Sequence, residues 1–409
     1  MATINPFKAL RPAAHLTQKI AALPYDVYNR VEAMEVVKAN PLSFLQIDRG
    51  ETLLDNQIDM YDSQVYEAAK KRFNEMIHNG QFVQDEQEQL YIYELERFGK
   101  IQRGIVGCVL AKEYLSGMIK KHENTREIKE NDRIQHIDTL QAHTGPIFLT
   151  YKNTNTMQML FEQVRQEAHV IFEFTGEDGV RHKGYAVKKT EDIIKIQNEV
   201  QKMNNLYIAD GHHRAASAAK IAQKYAFEGE AAQFLAVVFP DSELEILDYN
   251  RVVTDLNQLS VDEFLSKIEQ NFSIISKSIN PFSPQEKGTF GMYLENVWYG
   301  LAFKKKDTMN NDPVKELDVS ILQDYILEPI LGIQDPKTSE RIDFVGGIRG
   351  LGELERRVHH DMKVAFSMKP TSIHELIDVS DAERLMPPKS TWFEPKLRSG
   401  LFIHRIHIN

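Results

Sequence analysis

Residues 207–219 read Tyr-Ile-Ala-Asp-Gly-His-His-Arg-Ala-Ala-Ser-Ala-Ala, and the fold around them is decided by how this stretch is read. Apolar residues running up to Asp210 predict a strand, and the alanine-rich run after Arg214 predicts a helix. The junction gathers an acid, a glycine, two histidines and an arginine into one turn. A helix N-terminus presents unpaired N–H groups and roughly half a positive charge, which suits an anion. Gly211 lets backbone approach a ligand closely, and His212, His213 and Arg214 add donors and charge. Asp210 has three roles open to it: helix cap, holder of a cation, or partner of a substrate amine. A capped helix with solvent-facing histidines is the plain alternative. Five such residues in one turn favour a phosphate site.

The bulk composition bounds the rest. The chain has 409 residues, enough for two domains or one elaborated domain. It is 42% hydrophobic and 26% charged, the balance of a soluble globular protein. Its net charge of −10 argues against a protein that grips nucleic-acid backbone, while leaving room for a local basic pocket. Cys108 is the only cysteine, which excludes an intramolecular disulfide and a cysteine cluster for zinc. It lies in the strand-like Arg103-Gly-Ile-Val-Gly-Cys-Val-Leu-Ala111 and reads as a core residue. No secretory signal or apolar span of about 20 residues is apparent, so the expected place is the cytoplasm, with no membrane partner.

Along the chain, helical spacing is predicted for 56–79, 156–167, 190–203, 261–270 and Val319–Leu331, with a short helix at Ile373–Val379. Hairpins are predicted for Leu90–Leu110 around Gly99-Lys100, for Val170–Val187 around Thr175–Gly179, and for Thr289–Lys305. Further strands are expected at Pro146–Tyr151, Phe234–Phe239, Leu244–Val253 and Val364–Met368. Hairpins mixed with helices, without steady β-α alternation, predict an α+β fold of mixed sheets with flanking helices. A boundary is placed in the Pro281, Pro284 and Gly288 region, giving 1–280 as a catalytic core and 281–409 as a C-terminal α+β part that returns a loop to it.

Two more blocks carry chemistry. Lys120-Lys-His-Glu-Asn-Thr-Arg126 is densely polar; in a loop His122 and Glu123 can share one pocket, and Glu123 is the candidate general base. The adjoining Arg126–Arg133 stretch reads as surface helix. Met386-Pro-Pro-Lys-Ser-Thr-Trp392 offers Lys389, Ser390 and Thr391 as phosphate donors behind two prolines, or packs Trp392 and Phe393 as a stiff turn. No Gly-x-x-x-x-Gly-Lys-Ser/Thr occurs, which disfavours a P-loop enzyme. Asp248-Tyr-Asn-Arg251 is read as the polar end of a strand, Pro24-Tyr-Asp-Val27 and Gly346-Gly-Ile-Arg-Gly350 as turns.

His122-Glu123, Asp210-Gly-His-His-Arg214 and Pro388-Lys-Ser-Thr391 occur in the order seen in free-serine kinases of the ParB/sulfiredoxin-like superfamily, which the chain thus resembles. Taken with Pro24-Tyr-Asp-Val27, the same blocks make it similar over nearly its whole length to a large prokaryotic domain family. The kinase resemblance implies a nucleotide-binding core with insertions and transfer of a phosphoryl group from ATP or ADP to free L-serine. It implies Glu123 as base beside His122, and Asp210, Gly211, His212, His213, Arg214, Lys389, Ser390 and Thr391 at the phosphates. Mg²⁺ is expected with Asp210 as its protein contact, and Asn250 and Arg251 are assigned to the substrate's carboxylate. Two departures are visible: Lys121 stands where those kinases have proline, and the hairpin at 170–188 reads as an insertion. Two other readings stay open. A nucleotide-binding regulatory ParB-like module would show no small-molecule kinase activity. A metal-dependent hydrolase would use His122, His212 and His213, although adjacent histidines on a helix suit one metal badly. The oligomeric state is not legible.

Overall fold

A computed structural model describes residues 1–304 and 312–406. The chain divides into two compact units, Met1–Leu244 joined by the residues from Pro395 onward, and Glu245–Glu394. Both mix strands and helices, as the α+β reading expects.

The first unit is built on an eight-stranded sheet. Its strands are β1 (Leu90–Arg97), β2 (Lys100–Leu110), β3 (Ile119–Lys120), β4 (Ile147–Tyr151), β5 (His169–Thr175), β6 (Arg181–Val187), β7 (Leu206–Asp210) and β8 (Gln233–Pro240). They lie in the order β3-β7-β4-β8-β2-β1-β6-β5. The β1–β2 hairpin closes through Phe98 and Gly99, both at positive φ, the two-residue turn that matches strand twist. The turn is thus one residue earlier than Gly99-Lys100. The β5–β6 hairpin is part of the sheet, because β6 pairs along β1 from Leu90 to Glu96.

The longest helices of this unit, apart from Arg30–Ala39, are α1 (Ser63–His78), α2 (Glu127–Leu140), α3 (Asn155–Glu167), α4 (Thr190–Gln201) and α5 (His212–Lys224). Met157, Phe161 and Val164 of α3, Ile193, Ile196 and Val200 of α4, and Ala215, Ala218 and Ala222 of α5 share one core with the sheet strands. Cys108 is buried within β2. α1 begins at Ser63 rather than near 56, because Asp55 and Asp59 turn their carboxylates onto the Gln57 and Tyr61 N–H groups in competition with a helix, while Asp62 caps the helix by accepting from Gln64 N–H. The charged run 126–133 is a surface helix on one face only: Arg126, Glu127, Ile128 and Asn131 are exposed, while Glu130, Asp132 and Arg133 are buried. The pairing of Arg133 with Asp132 at 2.9 Å is what permits that burial.

The second unit holds a six-stranded antiparallel sheet of β9 (Tyr249–Val253), β10 (Phe272–Ser278), β11 (Thr289–Leu294), β12 (Val297–Phe303), β13 (Ile342–Gly346) and β14 (Val364–Ser367). The expected break at 280/281 falls inside this unit, since β10 and β11 both pair with β12. Proline and glycine there mark a connection within one sheet, not a linker. The extended segment 244–253 is broken at Asp248 into Glu245–Leu247 and β9, so Asp248-Tyr-Asn-Arg opens a strand instead of ending one. The 319–331 helix is α-helical only over Asp318–Leu322 and continues as a π-type turn over Gln323–Leu327. Lys305, the last residue of the expected hairpin, lies outside the described residues. Among the described residues no helix is long and apolar enough to cross a membrane.

Candidate functional site

Three strand ends meet in the first unit. β3 and β7 run parallel, with Leu206 beside Ile119 and Tyr207 beside Lys120. The chain therefore leaves β3 toward His122 and leaves β7 toward Asp210 at the same edge. β4 runs antiparallel to β7, which brings Gly145 and Pro146 to that edge as well. The β7–β4 register slips between Ile208 and Asp210, a bulge that re-aims the acid just before the helix.

α5 begins directly after Gly211, whose φ of 93° only glycine adopts without strain. The Gly211 N–H donates to Asp210 Oδ1 at 2.9 Å. Asp210 Oδ2 receives Lys396 Nζ at 3.1 Å. Burial works against the charged carboxyl, but Lys396 and Arg214 outweigh it and hold Asp210 well below the usual carboxylate range. Of the three roles open to Asp210, the geometry gives partnership with a cationic amine, here supplied by the chain. Arg214 folds back over the turn: its Nη1 donates to Pro146 O at 2.6 Å, and a Cβ on Gly211 would stand 3.1 Å from its Nε.

The two histidines of the turn part company. His212 is buried and meets the ring of His122 edge-on at 4.5 Å between centroids. Neither His122 Nδ1 nor His212 Nε2 has a hydrogen-bond partner. Burial holds His122 down to about 4 against its bond to the Ile208 backbone and the charge of Asp210. Burial and the neighbouring His122 likewise hold His212 well below the usual imidazole range. Both rings are therefore neutral at pH 7. His213 is half-buried, and its Nε2 accepts the Arg126 N–H at 3.1 Å. Hence the three histidines do not converge as metal ligands, and among the described residues no group of three or more His, Cys, Asp or Glu is placed to hold a metal ion.

Glu123 is half-buried in the loop between β3 and α2. That loop is fastened at both ends: His122 bonds the Ile208 backbone, Thr125 donates to Glu130 on α2, and Arg126 reaches His213. Ser217 locks α5 to α2 by donating to Glu130 O at 3.0 Å. The structure thus brings His122, Glu123, Asp210, Gly211, His212, His213 and Arg214 into one corner of one unit.

The remaining expected residues lie in the second unit. Asn250 and Arg251 open β9 and are buried. Asn250 Oδ1 accepts the Met368 N–H at 2.9 Å and its Nδ2 donates to Asp248. Arg251 donates to Tyr249 O and, at 3.0 Å, to Lys389 O; burial lowers its guanidinium to about 10. Lys389 is exposed at a φ of 58° with its Nζ over the Tyr249 ring, and Ser390 Oγ donates to Pro387 O at 2.7 Å. Thr391 is half-buried beside them. The lysine that meets Asp210 is Lys396, which sequence reasoning passed over; its only signal was a second Pro-Lys pair, Pro395-Lys396, just past the first.

An α+β protein whose first unit presents an anion-suited helix N-terminus is the class that fold and site define. The chain belongs to the family described as protein of unknown function (DUF1015), whose model matches residues 4–320. No curated protein matches it. Among solved structures it is similar to a free serine kinase in complex with AMP, at 11% identity over 70% of this chain and 86% of that one, with a TM-score of 0.34. SbnI with a C-terminal truncation from Staphylococcus aureus is similar at 11% identity over 71% and 84%, TM-score 0.37. A conserved hypothetical protein from Pyrococcus furiosus is similar at 12% identity over 71% and 92%, TM-score 0.33.

Proposed function

We propose that this chain transfers the terminal phosphoryl group of ATP or ADP to the hydroxyl of free L-serine, giving O-phospho-L-serine on a ParB/sulfiredoxin-like core. The observation that carries the reading is the pair of buried imidazole nitrogens without partners, His122 Nδ1 and His212 Nε2, at the N-terminus of α5. Buried polar atoms are nearly always paired, so two orphans at this corner favour a polar ligand: the unpaired helix N–H groups suit phosphate oxygens, while neutral His122, its one N–H on Ile208, offers Nδ1 as an acceptor for a hydroxyl or amine donor. Gly211, His212 and Arg214 are assigned to the phosphates. His213 keeps the Glu123 loop against the helix.

Phosphoryl transfer asks mainly for positioning and charge stabilisation. Glu123 takes the serine hydroxyl proton as that oxygen bonds to phosphorus. The bond from phosphorus to the nucleotide's bridging oxygen breaks, and the shortened nucleotide leaves with the electron pair. Asp210 fits a magnesium ion arriving with the nucleotide, because one ionised carboxylate beside phosphate oxygens is a usual complement. Its oxygens already accept from Gly211 and Lys396 and keep further lone pairs. Lys389, Ser390 and Thr391 lie in the second unit and are left out of this assignment. The purified chain, incubated with magnesium, L-serine and ATP or ADP, is expected to form phosphoserine and the shortened nucleotide in equal amounts. Nucleotide binding without phosphoserine from either donor would remove serine as acceptor.

A further inference from the structure

A groove of about 1070 Å³ opens in the first unit and takes no part in the transfer step above. Its size is that of a site for a small organic molecule rather than for a bound water. One wall is the segment from Gln18 to Leu23. A second is the helix Arg30–Ala39 with the turn after it, and a third is the β5–β6 turn from Phe174 to Asp178. Arg398, from the chain that re-enters this unit, completes the lining. None of these residues belongs to the blocks at 122–123, 210–214 and 388–391 that carry the kinase resemblance.

Two separate segments place the groove next to the phosphate corner. Leu23 lines the groove, and Tyr25 lines the small cavity that Gly145 and Arg214 also border. Arg398 lines the groove, and its neighbour Ser399 lines that same cavity. Ala22 and Ser399 exchange both backbone hydrogen bonds, at 3.2 and 2.8 Å, so the two segments run side by side there. Lys396, the partner of Asp210, stands two residues before Arg398, and two residues span at most about 7 Å. The groove and the first turn of α5 thus lie within the length of one nucleotide.

The lining suits the uncharged end of such a molecule. Ala21, Ala22, Leu23, Val36 and Leu42 give apolar surface, and Tyr28 and Phe174 give aromatic rings for a base. The charges do not invite phosphate. Arg398 is 8% exposed and already set against Asp178 at 2.6 Å, while Glu35 and Glu177 outnumber Lys19. Among the described residues, neither the Tyr28 hydroxyl nor the Glu177 carboxylate has a hydrogen-bond or ion-pair partner. Both belong to one end of the groove: burial raises the Tyr28 hydroxyl, the charge of Arg398 lowers it, and the charges of Glu177 and Asp178 raise it again. Tyr28 therefore stays a donor at neutral pH, and a carboxylate is a usual partner for ribose hydroxyls.

We infer that this groove seats the nucleoside of the phosphate donor, its base against Tyr28 and Phe174 and its ribose hydroxyls toward Glu177, with the phosphates leading to Gly211 and Arg214. The inference rests on the phosphotransfer reading for naming the ligand a nucleotide. A net acidic groove beside an anion-suited helix N-terminus sorts the two ends of that molecule and fixes its direction. The wall is braced on both sides: Gln18 Nε2 donates to Thr175 O at 3.0 Å, and Arg398 Nη2 to Asp178 Oδ2 at 2.6 Å.

The test is calorimetric titration of the full chain, in magnesium, with ATP and with inorganic tripolyphosphate, which lacks the nucleoside. ATP is expected to bind at least tenfold more tightly. Ala39→Trp puts a bulky ring into the groove from an exposed position at the end of its helix. It should weaken ATP at least tenfold and leave tripolyphosphate unchanged. Glu177→Gln, which keeps the volume, should weaken ATP several-fold and 2′,3′-dideoxy-ATP not at all. No binding of ATP, binding no tighter than that of tripolyphosphate, or equal ATP affinity in wild type and both variants overturns the inference. So does a matching loss of tripolyphosphate in Ala39→Trp. Phosphoserine formation with an unchanged KM for ATP in Ala39→Trp sinks the groove and leaves the kinase reading standing. ATP bound as described with no transfer to serine sinks the kinase reading and leaves the groove.

Discussion

Two polar blocks of this chain look alike on paper and differ in what they leave unspent. Asp248-Tyr-Asn-Arg251 and Asp210-Gly-His-His-Arg214 both combine an acid with amide, imidazole or guanidinium groups at a strand terminus. In the first, Asn250 is divided between Met368 and Asp248, and Arg251 between the carbonyls of Tyr249 and Lys389. It is a knot that fastens the 387–391 loop to β9. In the second, His122 Nδ1 and His212 Nε2 are buried with no partner, and the first N–H groups of α5 face the same corner. Residue type does not separate a site from a brace; the count of unspent donors and acceptors does.

The contrast can be broken most sharply at Glu123. Glu123→Gln should lower turnover by about 10²–10⁴ with nucleotide affinity nearly intact, as removal of a general base predicts; unchanged turnover in a phosphoserine assay ends that role. Next in size is Lys396→Met, which strips Asp210 of its cation. Chemical denaturation at pH 7 should show a loss of about 1.5–3 kcal/mol, the range for hydrogen bonds to charged groups. Because the Asp210 carboxyl is held low in the fold, this contribution is present above roughly pH 4 and fades as pH falls and the acid protonates. A stability gap that grows toward low pH would contradict the pairing.

On the brace side, Asn250→Ala leaves the Met368 N–H unpaired and should cost about 1–3 kcal/mol by the same denaturation. Serine KM should not move, and a tenfold rise would restore Asn250 as a substrate contact. The last prediction concerns pH. His122 is held near 4 in the fold, against roughly 6.5 in the unfolded chain, so the unfolded state binds the extra proton between those values. Stability should therefore fall by about 1.4 kcal/mol per pH unit for this ring as pH drops from 6.5 toward 4. His122→Gln should flatten the urea midpoint against pH by that amount; an unaltered slope would mean the ring is not held neutral.

Much of the frame was legible. Alternation and turn residues marked the hairpins at 90–110 and 170–187, and the strand-to-helix change at Asp210 stands where the sequence puts it. Local signals suffice there because hairpins and capped helices are local objects. What was hidden depends on partners distant in the chain. Arg133 ends a run of charges that reads as solvent-exposed, and pairing with Asp132, along with a contact to the Asp48 backbone, lets that face of the helix go inside while Arg126, Glu127 and Asn131 stay exposed. Lys396 carries no signal beyond the second Pro-Lys pair; its place comes from the chain re-entering the first unit after Glu394. The Pro-rich segment near 281–288 misleads for the converse reason, since a connection inside one sheet uses the same residues as a linker.

The central claim is that the first turn of α5 binds phosphate. Equilibrium titration of ATP and ADP onto wild type and Gly211→Ala tests it most directly, because a side chain at φ 93° strains the turn and stands 3.1 Å from the Arg214 guanidinium. Binding by wild type, weakened at least tenfold in a variant that still folds, is the expected result. Equal affinity in both proteins, or none in either, would contradict it.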